Sequence, residues 1–230
     1  MIEINKLTKT YLVSGQRFHA AEEVDLTVAS GEMISIIGHS GSGKTTLLSL
    51  IGGLTRPDSG QVVIDGVDLW SMPDDRLAEF RNRKLSFVYQ FASLIPTLTA
   101  LENVLLPTAF GEYRQDVMTN AQELLSSVSL ADKGDFYPSQ LSGGQQRRVA
   151  IARAFINQPE IILADEPTGD LDEETEQEVI SLFRKMNTER GVTFVVVTHN
   201  NQIARRLGRL MTMKNGRLSE TADEIGQAAN

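Results

Sequence analysis

Apolar and polar residues alternate near the start of the chain, in Ile2-Glu-Ile-Asn5 and again in Val24-Asp-Leu-Thr-Val28. This period of two predicts half-buried antiparallel strands across residues 1–30. Gly31 interrupts the pattern, and Met33-Ile-Ser-Ile-Ile37 follows as a nearly unbroken apolar run. Such a run is expected of a central strand covered on both faces. After Gly43 the spacing turns helical, with Leu47, Leu50 and Ile51 on one side. Val62-Val-Ile64, then Asp65-Gly66, then Val67 predicts a strand and a tight turn. Residues 74–84 alternate in charge, as an exposed amphipathic helix does. From about 90 to 158 no strand pattern recurs. Segments around 114–130 and 145–157 predict helices, with Pro138 in the loop between. Ile161-Ile-Leu-Ala164 and Thr193-Phe-Val-Val-Val197 predict two more buried strands, flanking a helix at about 173–188. Leu210 to Leu218, turning at Asn215-Gly216, predicts a hairpin, and 219–230 a loose tail.

Buried strands alternating with helices define an α/β class with a largely parallel sheet, into which the middle block is a helical insertion. The 230 residues suit one large domain, and 41% hydrophobic residues are enough for a sizeable core. A net charge of −8 argues against broad attraction to nucleic acid or an anionic membrane surface. With no cysteine, disulfides and thiolate metal sites are excluded. The polar N-terminus has no run of signal-peptide length, and no apolar stretch nears the ~20 residues that cross a bilayer. A cytoplasmic chain is expected, with any membrane contact made through a partner.

Chemistry enters at Gly38-His39-Ser40-Gly41-Ser42-Gly43-Lys44-Thr45, between the apolar run and the helical pattern. Glycines let backbone N–H groups curl around an anion, and the following helix turns its positive end to the same place. Lys44 offers a mobile cation to β- and γ-phosphates, and the Thr45 hydroxyl can coordinate Mg²⁺. A second buried strand ends in Asp165-Glu166, at the sheet edge where ligands bind in open α/β folds. Asp165 is the candidate Mg²⁺ carboxylate and Glu166 the candidate base for water.

Leu141-Ser142-Gly143-Gly144-Gln145, followed by Gln146-Arg-Arg-Val-Ala-Ile-Ala-Arg153, separates this chain from kinases, GTPases and helicases. A glycine pair opens a long helix there and makes a second anion site, with the Ser142 hydroxyl and the Gly144 N–H as donors. Val149, Ala152 and Ile156 form an apolar stripe behind it, so most of that helix is packing. Two anion-binding loops in one chain make sense if they face each other across a dimer.

On these motifs residues 1–218 resemble the ATP-binding-cassette (ABC) nucleotide-binding domain. Phe87-Val-Tyr-Gln90-Phe, Leu94 to Val104 and Leu163-Ala-Asp-Glu-Pro-Thr-Gly169 are similar to the branch serving lipoprotein-releasing, macrolide-export and peptide-resistance systems. The resemblance implies a P-loop fold with a RecA-like parallel core and an N-terminal antiparallel β subdomain (1–89 and 159–218), and a helical subdomain (90–158). It implies that Tyr11 stacks on adenine and that residues 38–46, including Thr46, hold the phosphates. By the same resemblance Gln90 touches Mg²⁺ and the attacking water, and His199 contacts the γ-phosphate. It further implies that Ser142, Gly143, Gly144 and Gln145 clamp ATP bound by a second copy. The resemblance also implies that permease subunits dock near 90–104 and that the loop Asp170, Leu171, Asp172 crosses the dimer seam. Many members carry a small residue or Asn where this chain has Asp170, which bears on communication between the two sites.

The implied activity is ATP hydrolysis that drives a membrane permease from the cytoplasmic face. The alternatives are an ATPase of a non-transport membrane complex, regulating cell-wall hydrolases or signalling peptide stress, and a soluble cassette acting on DNA or ribosomes. The last class carries a coiled-coil insertion or two cassettes per chain, and neither occurs here.

Overall fold

The two ends of the apolar pattern fold into two separate sheets. The computed structural model describes residues 1–111, 116–169 and 171–221. Strands β1 (Ile2–Val13) and β2 (Gln16–Val28) pair antiparallel with β4 (Ser59–Ile64) and β5 (Val67–Asp68), in the order β2-β1-β4-β5. The alternating runs of the sequence are therefore pieces of two longer strands. Their turn is Ser14-Gly15, and both residues take positive φ, 51° and 79°. Asp65-Gly66 and Asn215-Gly216 repeat that pair of angles in the two predicted turns. This is the hairpin turn whose twist matches its strands.

The second sheet holds β3 (Met33–Ile37), β6 (Leu85–Val88), β7 (Ile161–Asp165), β8 (Thr193–Val197), β9 (Arg209–Lys214) and β10 (Arg217–Glu220), in the order β10-β9-β3-β8-β7-β6. All neighbours are parallel except β9 and β10. Ser219 and Glu220, expected in the tail, extend β10 by pairing with Thr212 and Met211. The rest of that expected tail, 222–230, lies outside the described residues, as do 114 and 115 of the predicted helix.

Seven helices are described: α1 (Lys44–Ile51), α2 (Asp74–Lys84), α3 (Ala100–Leu105), α4 (Val117–Ser127), α5 (Gly143–Phe155), α6 (Glu173–Arg190) and α7 (Asn201–Arg206). Pro138 opens a short 3₁₀ turn, Pro138–Gln140, before α5. The central strands divide the core in two. Ile162, Ala164, Phe194 and Val196 join α3, α4, α5 and α6 on one face. Ile34, Ile36, Ile161, Leu163, Val195 and Val197 join α1 and the antiparallel sheet on the other. Burial on both faces explains why these strands read as apolar runs rather than alternations.

Candidate active site

Three neighbouring parallel strands deliver their C-terminal ends to one place. β3 leads into the glycine-rich loop, β7 ends at Asp165, and β8, lying between them, leads to Thr198 and His199. β6, on the outer side of β7, brings Gln90. An open cavity of about 360 Å³ is lined by Phe18, Ser40, Gly41, Gly43, Lys44, Thr45, Thr46, Gln90, Asp165, Glu166 and His199.

The loop is pressed between the antiparallel layer and β9, and these two neighbours dictate two of its glycines. A Cβ on Gly43 would lie 1.9 Å from the Ala20 carbonyl oxygen, at a φ of 107° that L side chains rarely adopt. One on Gly38 would lie 2.3 Å from the Met213 oxygen. The Ser42 N–H donates to His39 O (3.1 Å), and the Gly216 N–H donates to Ser42 O (3.0 Å). Lys44 is buried, and its ammonium donates to the Gly38 and His39 carbonyls at 2.8 and 3.0 Å. The cation is thus held within the loop that α1 follows.

Thr45 Oγ1 donates to Asp165 Oδ2 at 2.7 Å, joining the start of α1 to the end of β7. Burial pushes the Asp165 pKa up, the Thr45 hydrogen bond opposes this, the Glu166 charge adds to it, and Lys44 opposes it. Such a half-buried carboxylate gains from a cation beside it. Among the described residues no group of three His, Asp or Glu forms a metal cage. A hydroxyl, one half-buried carboxylate and an amide oxygen from Gln90 fit Mg²⁺, which takes few protein oxygens and completes its shell with phosphate and water.

Glu166 sits at a backbone φ of 48°. Its Oε2 accepts from Thr198 Oγ1 (3.0 Å), and its Oε1 lies 2.9 Å from His199 Nδ1. The Glu166 side chain is 13% exposed and that of His199 76%, so the pair spans from the sheet edge to open solvent. A carboxylate fixed at two oxygens beside a phosphate-sized loop can orient and deprotonate water.

Ser142, Gly143, Gly144 and Gln145 do not line this cavity. Ser142 Oγ instead accepts from the Gln145 N–H (3.2 Å), and Gln145 Oε1 accepts from the Ser142 N–H (2.9 Å). This capping box starts α5 and leaves the Ser142 hydroxyl proton available as a donor. Leu171 packs beside the same turn, 3.6 Å from where a Gly144 Cβ would lie, whereas Asp170 is outside the described residues.

Tyr11 does not line the cavity; Phe18, its cross-strand partner, does. Directly opposed residues of an antiparallel pair share a face, so the two rings lie on one side of the hairpin. Phe18, Thr198 and Arg147 are site residues that sequence reasoning missed. A signal for Phe18 existed, since placing the turn at Ser14-Gly15 sets it opposite Tyr11. Arg147 lay inside the quoted signature run, on a helix read as packing; its Nη1 donates to the Glu166 carbonyl at 2.9 Å.

The sheet order, the loop after β3 and the acid pair after β7 define an α/β protein of the P-loop class. Residues 21–169 match the family described as ABC transporter. The lipoprotein-releasing system ATP-binding protein LolD of Syntrophus aciditrophicus is 41% identical over 219 residues, 95% of this chain and 98% of that protein. The macrolide export ATP-binding/permease protein MacB of Rhodopirellula baltica is 44% identical over 223 residues, which is 96% of this chain but 33% of that longer protein. A solved dimeric post-hydrolysis state of the ATP-binding cassette MJ0796, bound to ADP and Pi, superimposes with a TM-score of 0.89 at 42% identity, covering 96% of this chain and 98% of that one. The chain belongs to the ABC transporter family, as an ATPase cassette.

Proposed function

We propose that this chain is the energy subunit of an ABC system of the lipoprotein-releasing or macrolide-exporter type. It hydrolyses ATP as one half of a dimer and thereby drives membrane permease subunits. The observation that carries the catalytic part is the Glu166 carboxylate, held by Thr198 and His199 in the cavity that also contains Lys44, Thr45 and Asp165.

Residues 38–46 cradle the triphosphate, Lys44 neutralises its outer phosphates, and Tyr11 with Phe18 receives the base. Thr45, Asp165 and Gln90 would hold Mg²⁺, which when bound would supply positive charge to the phosphate oxygens. Glu166 takes a proton from the attacking water, and His199 orients the γ-phosphate. Ser142 to Gln145 act on the nucleotide of the second copy. Their separation from their own cavity supports that assignment, as does the dimeric state of the neighbouring cassette.

Membrane attachment through permease subunits rests on an exposed apolar surface. Phe91 is 74% exposed, and Tyr89 and Ile95 close to it in sequence are exposed as well. The segment is rigidly built: buried Asn103 accepts from the Ile95 N–H and donates to the Ile95, Leu98 and Thr99 carbonyls. Exposed apolar side chains grouped on a well-held segment suit a protein contact. Among the described residues no helix is long and apolar enough to cross a membrane. The test is co-purification from detergent-solubilised membranes. Phe91→Asp with Ile95→Asp should release the membrane subunits while the purified chain keeps its basal ATPase rate. Retention of those subunits by the double variant would refute docking at 90–104.

A further inference from the structure

The signature helix α5 does more than present its first turn. Arg147 is 6% exposed, and a guanidinium that far from water is costly unless it is bonded. Its Nη1 donates to the main-chain carbonyl of Glu166 at 2.9 Å. That carbonyl also accepts from the Gly169 N–H at 3.1 Å, and the Glu166 N–H donates to Val197 O at 2.8 Å. Gly169 and Val197 belong to the sheet and the loop that leaves it. Arg147 alone among these three comes from α5.

The bond falls on a residue whose backbone needs support. Glu166 has φ 48°, a left-handed conformation uncommon in residues with a Cβ, which persists where surrounding contacts over-determine it. The peptide's orientation sets the direction of the Cα–Cβ bond and hence where the carboxylate points. Thr198 and His199 then hold its two oxygens. Arg147 lies four residues past Gly143, about 6 Å along the helix axis, so a tilt of the first turn moves the guanidinium with it.

We propose that Arg147 is a positioning residue for hydrolysis: it ties the aim of Glu166 to the placement of α5, so that a cassette whose signature turn engages the partner's nucleotide aligns the base in its own site. Each site is thereby informed of the other through the Arg147 hydrogen bond to the Glu166 carbonyl. The inference rests on Glu166 being the base and on α5 engaging a second copy.

The experiment uses the full-length chain carrying Arg147→Met and, separately, Arg147→Lys. Arg147→Met should lower kcat about ten- to hundredfold, the scale of a small misplacement at the reacting centre, with KM for ATP within about twofold of wild type. Its melting temperature and ATP-dependent dimerisation, the latter measured in the Glu166→Gln background, should persist. Arg147→Lys, which can still donate to the carbonyl, should recover part of the rate. The Hill coefficient for ATP should fall towards one in the Met variant. An unchanged kcat would overturn the inference, as would parallel losses of kcat, ATP affinity and melting temperature in both variants. Glu166→Gln separates the two layers. If it hydrolyses ATP at the wild-type rate, the base assignment itself fails; if it is inactive while Arg147→Met is not slowed, only the positioning role fails.

Discussion

Glu166→Gln isolates the base with little disturbance of its surroundings. Glutamine has nearly the same volume and keeps one carbonyl oxygen. That oxygen can accept from Thr198 Oγ1, now bonded at 3.0 Å. The amide nitrogen then faces His199 Nδ1, now 2.9 Å from the carboxylate, and can donate to it when the ring carries its proton on Nε2. Neither bond is forfeited. The lost charge also relieves Asp165, whose ionisation the Glu166 charge disfavours. The variant should therefore melt at or slightly above the wild-type temperature.

The rate should fall steeply. A positioned general base is worth about 10²–10⁴-fold, which at about 1.4 kcal/mol per tenfold is roughly 3 to 5 kcal/mol of transition-state stabilisation. Nucleotide contacts from Lys44 and Thr45 are untouched, so ATP affinity stays and the ATP-bound dimer accumulates. Phosphate release at saturating ATP measures the first effect, and size-exclusion chromatography with and without ATP the second. A kcat within about threefold of wild type, with ATP still bound, would refute Glu166 as the base.

Phe18→Ala removes one ring of the Tyr11–Phe18 pair. Stacking of about 0.5–1.5 kcal/mol converts to a two- to tenfold rise in KM for ATP at unchanged kcat, and a lower kcat at constant KM would contradict a base-binding role. Ser142→Ala loses a helix cap of about 1 kcal/mol, so the melting temperature drops by only a few degrees. Hydrolysis should nevertheless collapse while monomer ATP binding, followed by a fluorescent nucleotide, is kept; equal loss of binding would assign Ser142 to its own cavity. Asp165→Asn tests the electrostatics. Burial holds the folded pKa of Asp165 above the ordinary 3.8, so the native state binds more protons and wild-type stability falls as pH rises through the window between unfolded and folded values. The Asn variant should be the more stable protein in urea melts at pH 7 and lose that advantage below about pH 4; an advantage that grows on acidification would refute the sign.

Most of the sheet was legible because its physics is local. Met33 to Ile37 and Thr193 to Val197 read as buried strands since both of their faces are covered. Asp65-Gly66 and Asn215-Gly216 read as turns because each needs two positive φ angles in a row. β6 was not legible. It follows α2 directly at Leu85 with no glycine or proline between them, and four residues carry too little period to announce a strand. The short helix α7 was missed for the same reason, although Asn200 caps it by accepting from the Gln202 and Ile203 N–H groups.

The site divides along the same line. The cradle and the acid pair are contiguous in sequence, so spacing alone identifies them. Phe18, Thr198 and Arg147 acquire their roles only from partners 19 to 32 positions away or across a strand register. Helix α5 shows why such residues escape a reading by stripe. Val149 and Ala152 are its packing face, and their spacing suggests that packing is all the helix does. Yet the same helix carries Arg147 to the Glu166 carbonyl and, nearly two turns later, Arg153 to the Ala92 and Ser93 carbonyls at 2.9 Å. Both arginines bond main-chain oxygens, which leave no trace in side-chain patterns. A helix of 13 residues thus contacts the signature turn, the end of β7 and the exposed apolar segment, and that shared contact is what the Arg147 variants test.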